Sequence, residues 1–281
     1  MEEKLKLRLV KSKAYEWLII LFAFLITLPL LAIIFYVLKT GLSKISWSFL
    51  INIPKPVGEL GGGIANALVG SILIVLVAAI IAIPIGILCG VYLSENKNGK
   101  LAYYSRLAVD VLQGTPSIVV GIVVYFWIVK PIGSFSAFSG SVALAIMMLP
   151  IVIRSTEETV KLLPDTLKEA GLALGLPYYK VILKVILPCG ISGILSGVML
   201  SVARIAGETA PLLFTAFGNP YLTANILKPM QSLPLLIFNY ATSPYDEWHD
   251  LAWGASLILL IWVLLLNITT KWITRKWKVQ L

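Results

Sequence analysis

The stretch EAGLALGLPYYKVILKVILP, residues 169–188, decides how the chain is read. Glu169-Ala170-Gly171 is followed after three residues by Gly175 and after nine more by Val185-Ile186-Leu187-Pro188, and long apolar runs lie on either side. From Arg154 to Lys184 the chain carries its longest charged stretch inside an otherwise hydrophobic sequence, so this segment has to emerge into water between two membrane spans. Pro164 and Asp165 mark a helix start, Leu167, Ala170, Gly171 and Leu174 recur at helical spacing, and Gly175-Leu176-Pro177 is a stop, which together predict a small amphipathic helix. The pattern restarts at Tyr178 and runs into the next apolar segment, predicting a helix-turn-helix elbow that projects from the membrane. Small Ala170 and Gly171 allow a partner to approach closely, and Glu169 is placed to pair with a basic residue. A merely solvated loop with helical propensity has the same spacing.

Composition frames this reading. Of 281 residues, 58% are hydrophobic and 13% charged, and the mean hydropathy is +0.90. Those values exclude an ordinary soluble domain and leave an all-α polytopic membrane protein. The net charge of +9 does not indicate nucleic acid, because the basic residues lie in short segments between apolar runs. Cys89 and Cys189 end apolar runs without CxxC spacing and read as small apolar fillers, not as a metal site or a disulfide. His249, in the polar stretch Pro244 to Asp250, reads as a solvated surface histidine without a role.

A bilayer core takes about 20 apolar residues in helix, and six stretches satisfy that, near 17–38, 65–93, 107–129, 137–154, 185–210 and 251–272. The first follows a basic leader (Lys4, Lys6, Arg8, Lys11, Lys13) but is too long for a signal-peptide core and lacks a small-x-small cleavage site, so it reads as a retained helix. With the N-terminus inside, the inner segments hold that leader, Lys97, Lys100, Arg106, Arg154, Lys161, Lys168, Lys180, Lys184, Lys271, Arg275, Lys276 and Lys278. The outer segments hold only Lys39, Lys44, Lys55, Lys130 and Lys228. The positive-inside rule therefore places both termini and the 169–188 elbow in the cytoplasm. Two outer segments are long: 39–63, with Trp47, Phe49 and Gly61-Gly62-Gly63, reads as an interfacial stretch, and 211–250 as an aromatic and proline-rich cap. The division is residues 1–60 as an N-terminal helix with its interfacial segment and residues 61–281 as a core of five spans.

One span carries an ionic pair. Arg204 is sixteen residues past Pro188, about 24 Å of helix, well across the membrane and beyond its centre. An arginine there costs about +2.5 to +3.5 kcal/mol, so it needs a polar pathway or a partner. Glu208, four residues on, shares its helix face. The pair is either a substrate element or a self-neutralising packing device. Ser201, Gly207 and Thr209 add donors and close backbone approach, and Pro211 is expected to end the helix. In the third span Thr115 is expected to cap and Pro116 to occupy the first turn. That is an ordinary helix start, or an anion-attracting N-terminus on the exit side involving Thr115 and Ser117.

Glu-Ala-Gly, three residues, Gly, nine residues, Val-x-Leu-Pro resembles the EAA motif of permease subunits in ABC importers, with Gly171 for the usual second alanine and Val185 for the usual isoleucine. Residues 203–216, Ala203-Arg204-Ile205-Ala206-Gly207-Glu208-Thr209-Ala210-Pro211-Leu212-Leu213-Phe214-Thr215-Ala216, more specifically resemble the signature of phosphate ABC importer permeases, the PstA type more than the PstC type. Gln113 to Gly121 and Gly61 to Ile64 resemble the same family. The resemblance implies a type I importer permease fold of six transmembrane helices. It implies a cytoplasmic coupling helix in which Glu169, Ala170, Gly171 and Gly175 contact an ATPase, and a substrate pathway with Arg204, Glu208, Ser201, Thr209, Thr115 and Ser117. The implied partners are a PstC-type permease, two ATPase subunits, an extracytoplasmic phosphate-binding protein, phosphate and membrane lipid in the cell's inner membrane. No cofactor is expected on this chain. No G-x-x-x-x-G-K-[ST] loop occurs, since Asn98-Gly99-Lys100-Leu101 lacks the preceding glycine and the following hydroxyl residue, so ATP would be used by another chain.

Phosphate suits these residues. Arginine offers a planar fork to a tetrahedral oxyanion, and a protonated phosphate oxygen can donate to Glu208, a bond fully ionised sulfate cannot make. The rival cargoes are sulfate and molybdate, and the rival class is a non-transporting scaffold. An intramembrane enzyme is disfavoured by the lack of HExxH, GxSxG or paired intramembrane aspartates.

Overall fold

The computed structural model describes residues 2–59 and 61–276, and the side chains of 2–7, 10 and 273–276 are outside the description. Lys278, counted above among the inner basic residues, therefore lies outside the described residues, as do the side chains of Lys4, Lys6, Arg275 and Lys276. The described residues are helical and connecting segments, with one isolated bridge between Phe217 and Met230. In chain order the α-helices are α1 Glu2–Gly41, α2 Trp47–Ile51, α3 Ala65–Glu95, α4 Lys100–Gly114, α5 Ser117–Val124, α6 Lys130–Ile132, α7 Ala137–Lys161, α8 Asp165–Ala173, α9 Tyr178–Val181, α10 Leu187–Ile205, α11 Ala210–Leu213, α12 Leu233–Ala241 and α13 Asp246–Lys276.

Among the described residues five stretches of helix are long and apolar enough to cross a bilayer, six if the bent pair α4 and α5–α6 counts as one broken span. The chain is a multi-pass membrane protein. The expected span near 107–129 is not one straight helix, because α4 and the segment Ser117–Ile132 meet at 107°. The cause is local. Pro116 has no N–H and forces its predecessor out of helical geometry, and Thr115 is extended at φ −75°, ψ 130°. The Thr115 hydroxyl donates to Val111 O at 2.7 Å, so it closes the end of α4, and α5 starts at Ser117 with Pro116 at the N-cap position, not in the first turn, and no side-chain cap. The expected cap at Thr115 is thus corrected. A π turn, Tyr125–Val129, carries α5 into α6.

The centre of the bundle is α3, α7 and α10, packed through Ile74, Ala78, Ala82, Leu144, Met148, Val152, Ile194 and Val198. Without a hydrophobic drive between helices in lipid, close packing depends on small residues at the crossings. A Cβ on Gly90 of α3 would fall 2.5 Å from Thr156 Cβ of α7, and one on Gly197 of α10 would fall 1.8 Å from Ser155 Oγ. These glycines let the backbones nearly touch. α1 is exposed along nearly its whole length, as a helix solvated by lipid is, and leans on α13 through Tyr36 and Trp253, ring centroids 5.0 Å apart.

Within the segment 211–250, expected to form a cap, Tyr221, Leu222 and Leu227 are exposed but α12 packs into the bundle. Leu233 and Leu236 of α12 are fully buried with Phe49, Ile64 and Ala255, Leu235 is buried in the central cluster with Ala216 and Met230, and Leu233 N–H donates to Ser71 Oγ of α3 at 2.7 Å. Nine residues of helix are too few to span a bilayer, and the first turn of α12, Leu233 to Leu236, is buried within protein with the Leu233 N–H satisfied by Ser71.

Candidate functional site

The elbow is built as its sequence predicts. Pro164 precedes α8, Asp165 lies in its first turn, and Gly175 at φ +76° stops it. Gly175 N–H donates to Leu172 O at 2.9 Å and Leu176 N–H to Gly171 O at 3.3 Å, the paired closure of a Schellman motif that needs the left-handed conformation of glycine. Gly175 therefore shapes the turn. Gly171 faces inward: its Cβ would lie 3.0 Å from Val181 Cγ2, so the close approach expected of it is made to α9 inside the elbow. Glu169, Ala170 and Leu172 face outward, and Leu174 is 81% exposed.

The far end of α10 holds the second group. α10 ends at Ile205, six residues before Pro211, which opens α11 instead of ending α10. Glu208 consequently follows a turn and does not sit one helical turn above Arg204. Gly207 N–H donates to Arg204 O at 3.2 Å and Glu208 N–H to Ile205 O at 3.2 Å. Arg204 Nε lies 3.9 Å from Glu208 Oε1, with side-chain exposures of 51% and 21%. An arginine half exposed on a membrane-length helix faces out of its own chain, on a face it shares at four-residue spacing with the exposed Leu200 and the partly exposed Ser192 and Ser196. Ser201 is buried and its hydroxyl donates to Val198 O at 2.6 Å, so it is turned into the helix. Thr209 is partly buried before α11 and caps nothing with its side chain.

Gly121 joins α5 to this region. Its Cβ would fall 2.7 Å from Pro211 Cα, so α5 rides directly on α11, two residues beyond Thr209. Among the described residues no hydrogen bond or ion pair connects Thr115 or Ser117 with Arg204 or Glu208.

Residues 82–278 match the family described as binding-protein-dependent transport system inner membrane component. The chain belongs to this family. The permease is 43% identical to the phosphate transport system permease protein PstA of Yersinia pestis over 89% of this chain and 85% of that protein. It is 38% identical to the probable phosphate transport system permease protein PstA of Methanocaldococcus jannaschii over 91% and 90%. Its fold is that of ABC transporter permeases. A chain of the inward-facing MetNI methionine ABC transporter superposes with a TM-score of 0.65 at 18% identity, covering 77% of this permease and 96% of that chain.

The permease also carries an ionic cluster that sequence reading missed, at the end of the bundle where α8 lies. Glu157 of α7 is 1% exposed and sits 2.7 Å from Arg106 Nε, 2.6 Å from Lys161 Nζ and 3.2 Å from Arg154 Nη1. Arg154 also pairs with Asp110 of α4. Arg106 further donates to Leu93 O at 2.6 Å and Lys97 O at 3.1 Å, closing the end of α3. A buried carboxylate is tolerable only when paired and bonded in this way. The signal was present in Arg154, Glu157 and Lys161 at i, i+3 and i+7, one face of a helix, but those lysines and arginines had been read only as orienting charges.

Proposed function

We propose that this permease is one of two membrane subunits of an ATP-driven importer of inorganic phosphate. It lies in the cytoplasmic membrane with both termini inside, and its partners are a homologous permease, two ATPase subunits and an extracytoplasmic phosphate-binding protein. The observation that carries the reading is Arg204, a half-exposed guanidinium on a membrane-length helix, loosely held by Glu208 and turned away from its own chain. Lipid is a poor neighbour for such a charge. A polar passage shared with a second permease relieves the cost and places a planar donor fork where a tetrahedral anion passes.

At the other end, Glu169, Ala170, Leu172 and Leu174 on the outward face of α8 supply the contact for an ATPase. That partner provides the phosphate-binding loop absent from this sequence, and this chain needs no cofactor of its own. The curated relatives named for phosphate transport support the choice of cargo over sulfate or molybdate.

The test is reconstitution with the partner subunits in vesicles loaded with ATP. Binding protein carrying phosphate is expected to stimulate ATP hydrolysis and phosphate uptake together. Uptake of sulfate or molybdate with no response to phosphate would replace the cargo, and no uptake of any oxyanion would leave a scaffold.

A further inference from the structure

Glu95, the last residue of α3, takes no part in the Arg204 region or in the Glu157 cluster, yet its carboxylate meets two parts of the elbow at once. Lys168 Nζ of α8 lies 2.5 Å from Oε1, and the Tyr178 hydroxyl, at the first residue of α9, donates to Oε2. The Glu95 and Lys168 side chains are only 17% and 19% exposed, so the pair is weakly screened compared with a surface bridge. The other contacts of the elbow with the bundle are apolar, among Val91, Val160, Leu163, Leu167, Val181 and Ile182. Apolar contact is non-directional and tolerates sliding; charge-assisted hydrogen bonds fix a register.

The connectivity gives this a consequence. The elbow continues covalently into α10 through α9 and the π turn Ile182–Ile186, and α10 carries Arg204. The elbow is also joined to α7 through residues 162–164, whereas α3 has no covalent link to it; the ties of α3 there are Val91 in the apolar cluster and the charged contact of Glu95. α3 is in turn locked to α7 where Gly86 and Gly90 leave room for Val152 and Thr156. We propose that Glu95 is a positioning residue that fastens the coupling elbow to α3, so that a displacement of α8 acts directly on α3 as well as on α7 and α10, to which the chain itself joins the elbow. Without it α3 follows only through its packing on α7 and the apolar contact of Val91. This rests on the importer reading, in which α8 is the surface an ATPase moves.

The test uses the assembled complex in vesicles and reads phosphate uptake per ATP hydrolysed. Glu95→Gln keeps the shape and loses the charge; it is expected to leave ATP hydrolysis near wild type and to lower uptake per ATP about tenfold, a typical coupling effect. Tyr178→Phe deletes one hydroxyl, keeps the ion pair and is expected to lower the ratio by a smaller factor. The exchanged pair Glu95→Lys with Lys168→Glu is expected to recover most of the loss, which a merely disordered elbow would not do. A wild-type ratio in Glu95→Gln, or an exchanged pair that assembles without recovery, overturns the proposal. If Glu95→Gln does not assemble, the exchanged pair decides alone. A wild-type complex that shows no response to phosphate-loaded binding protein instead overturns the importer reading, and this proposal with it.

Discussion

Arg204 Nε stands 3.9 Å from Glu208 Oε1, within ion-pair reach and beyond a hydrogen bond. The end of α10 at Ile205 causes this separation, because the chain leaves helical geometry before it reaches Glu208. A guanidinium held this loosely keeps donors free for another partner.

Arg204→Lys retains the charge and loses the planar fork. Loss of one charge-assisted hydrogen bond is worth about 1.5–3 kcal/mol, so phosphate uptake is expected to fall about tenfold or more with unchanged amounts of permease in the membrane. Radiolabelled phosphate uptake normalised to protein level measures this; wild-type uptake would reduce Arg204 to packing.

Glu208→Gln keeps the volume and removes the carboxylate. If a protonated phosphate oxygen donates to Glu208, the neutral amide accepts more weakly, and phosphate uptake drops while assembly with the partner subunits is intact. Equal uptake by an equally expressed Glu208→Gln permease would remove Glu208 from the pathway.

Glu157→Gln leaves the cations of Arg106, Arg154 and Lys161 around a neutral amide in a buried position. Breaking such a cluster costs about 3 kcal/mol, to be read as a lower thermal unfolding midpoint of the detergent-solubilised protein. Arg106→Lys should cost less than Glu157→Gln, since a lysine keeps a cation for Glu157 and gives up only the hydrogen bonds to the carbonyls of Leu93 and Lys97. An unchanged midpoint in both variants would show that the cluster adds nothing to stability.

Gly197→Ala places a methyl where Ser155 Oγ now sits, 1.8 Å from the ideal Cβ. Overpacking of this kind costs about 1–3 kcal/mol. Exchange of sizes, Gly197→Ala with Ser155→Gly, is expected to restore the midpoint measured for the parent. Failure of the exchange to recover it would mean that the α7–α10 crossing is not set by this pair.

The elbow was legible because its signals are adjacent in sequence: Pro164 and Asp165 start α8, Gly175 stops it, and Pro177 starts α9. The bend at Thr115 and Pro116 was hidden by an apolar run long enough to be taken for one straight span. α12 was hidden for the opposite reason, since nine residues that include Pro234 and Asn239 resemble a loop when the buried surroundings of Leu233 and Leu236 are unknown. Arg204 and Glu208 were found by their cost in a membrane, but their spacing of four implied a shared helix face that the end of α10 removes. Tyr178 and Glu95 are 83 residues apart, and no local pattern pairs them.

By itself the sequence determined the membrane class, the approximate spans and the elbow. Each depends on how a short segment is solvated and on a helical period that repeats within it, and both are properties of neighbouring residues. Only the tertiary structure decided that Arg204 turns outward, that Arg106 meets Glu157 and that Lys168 and Tyr178 meet Glu95. Those meetings depend on the rotation and separation of helices, which are set where Gly86, Gly90, Gly121 and Gly197 let two distant backbones approach, a condition written in two places of the chain at once.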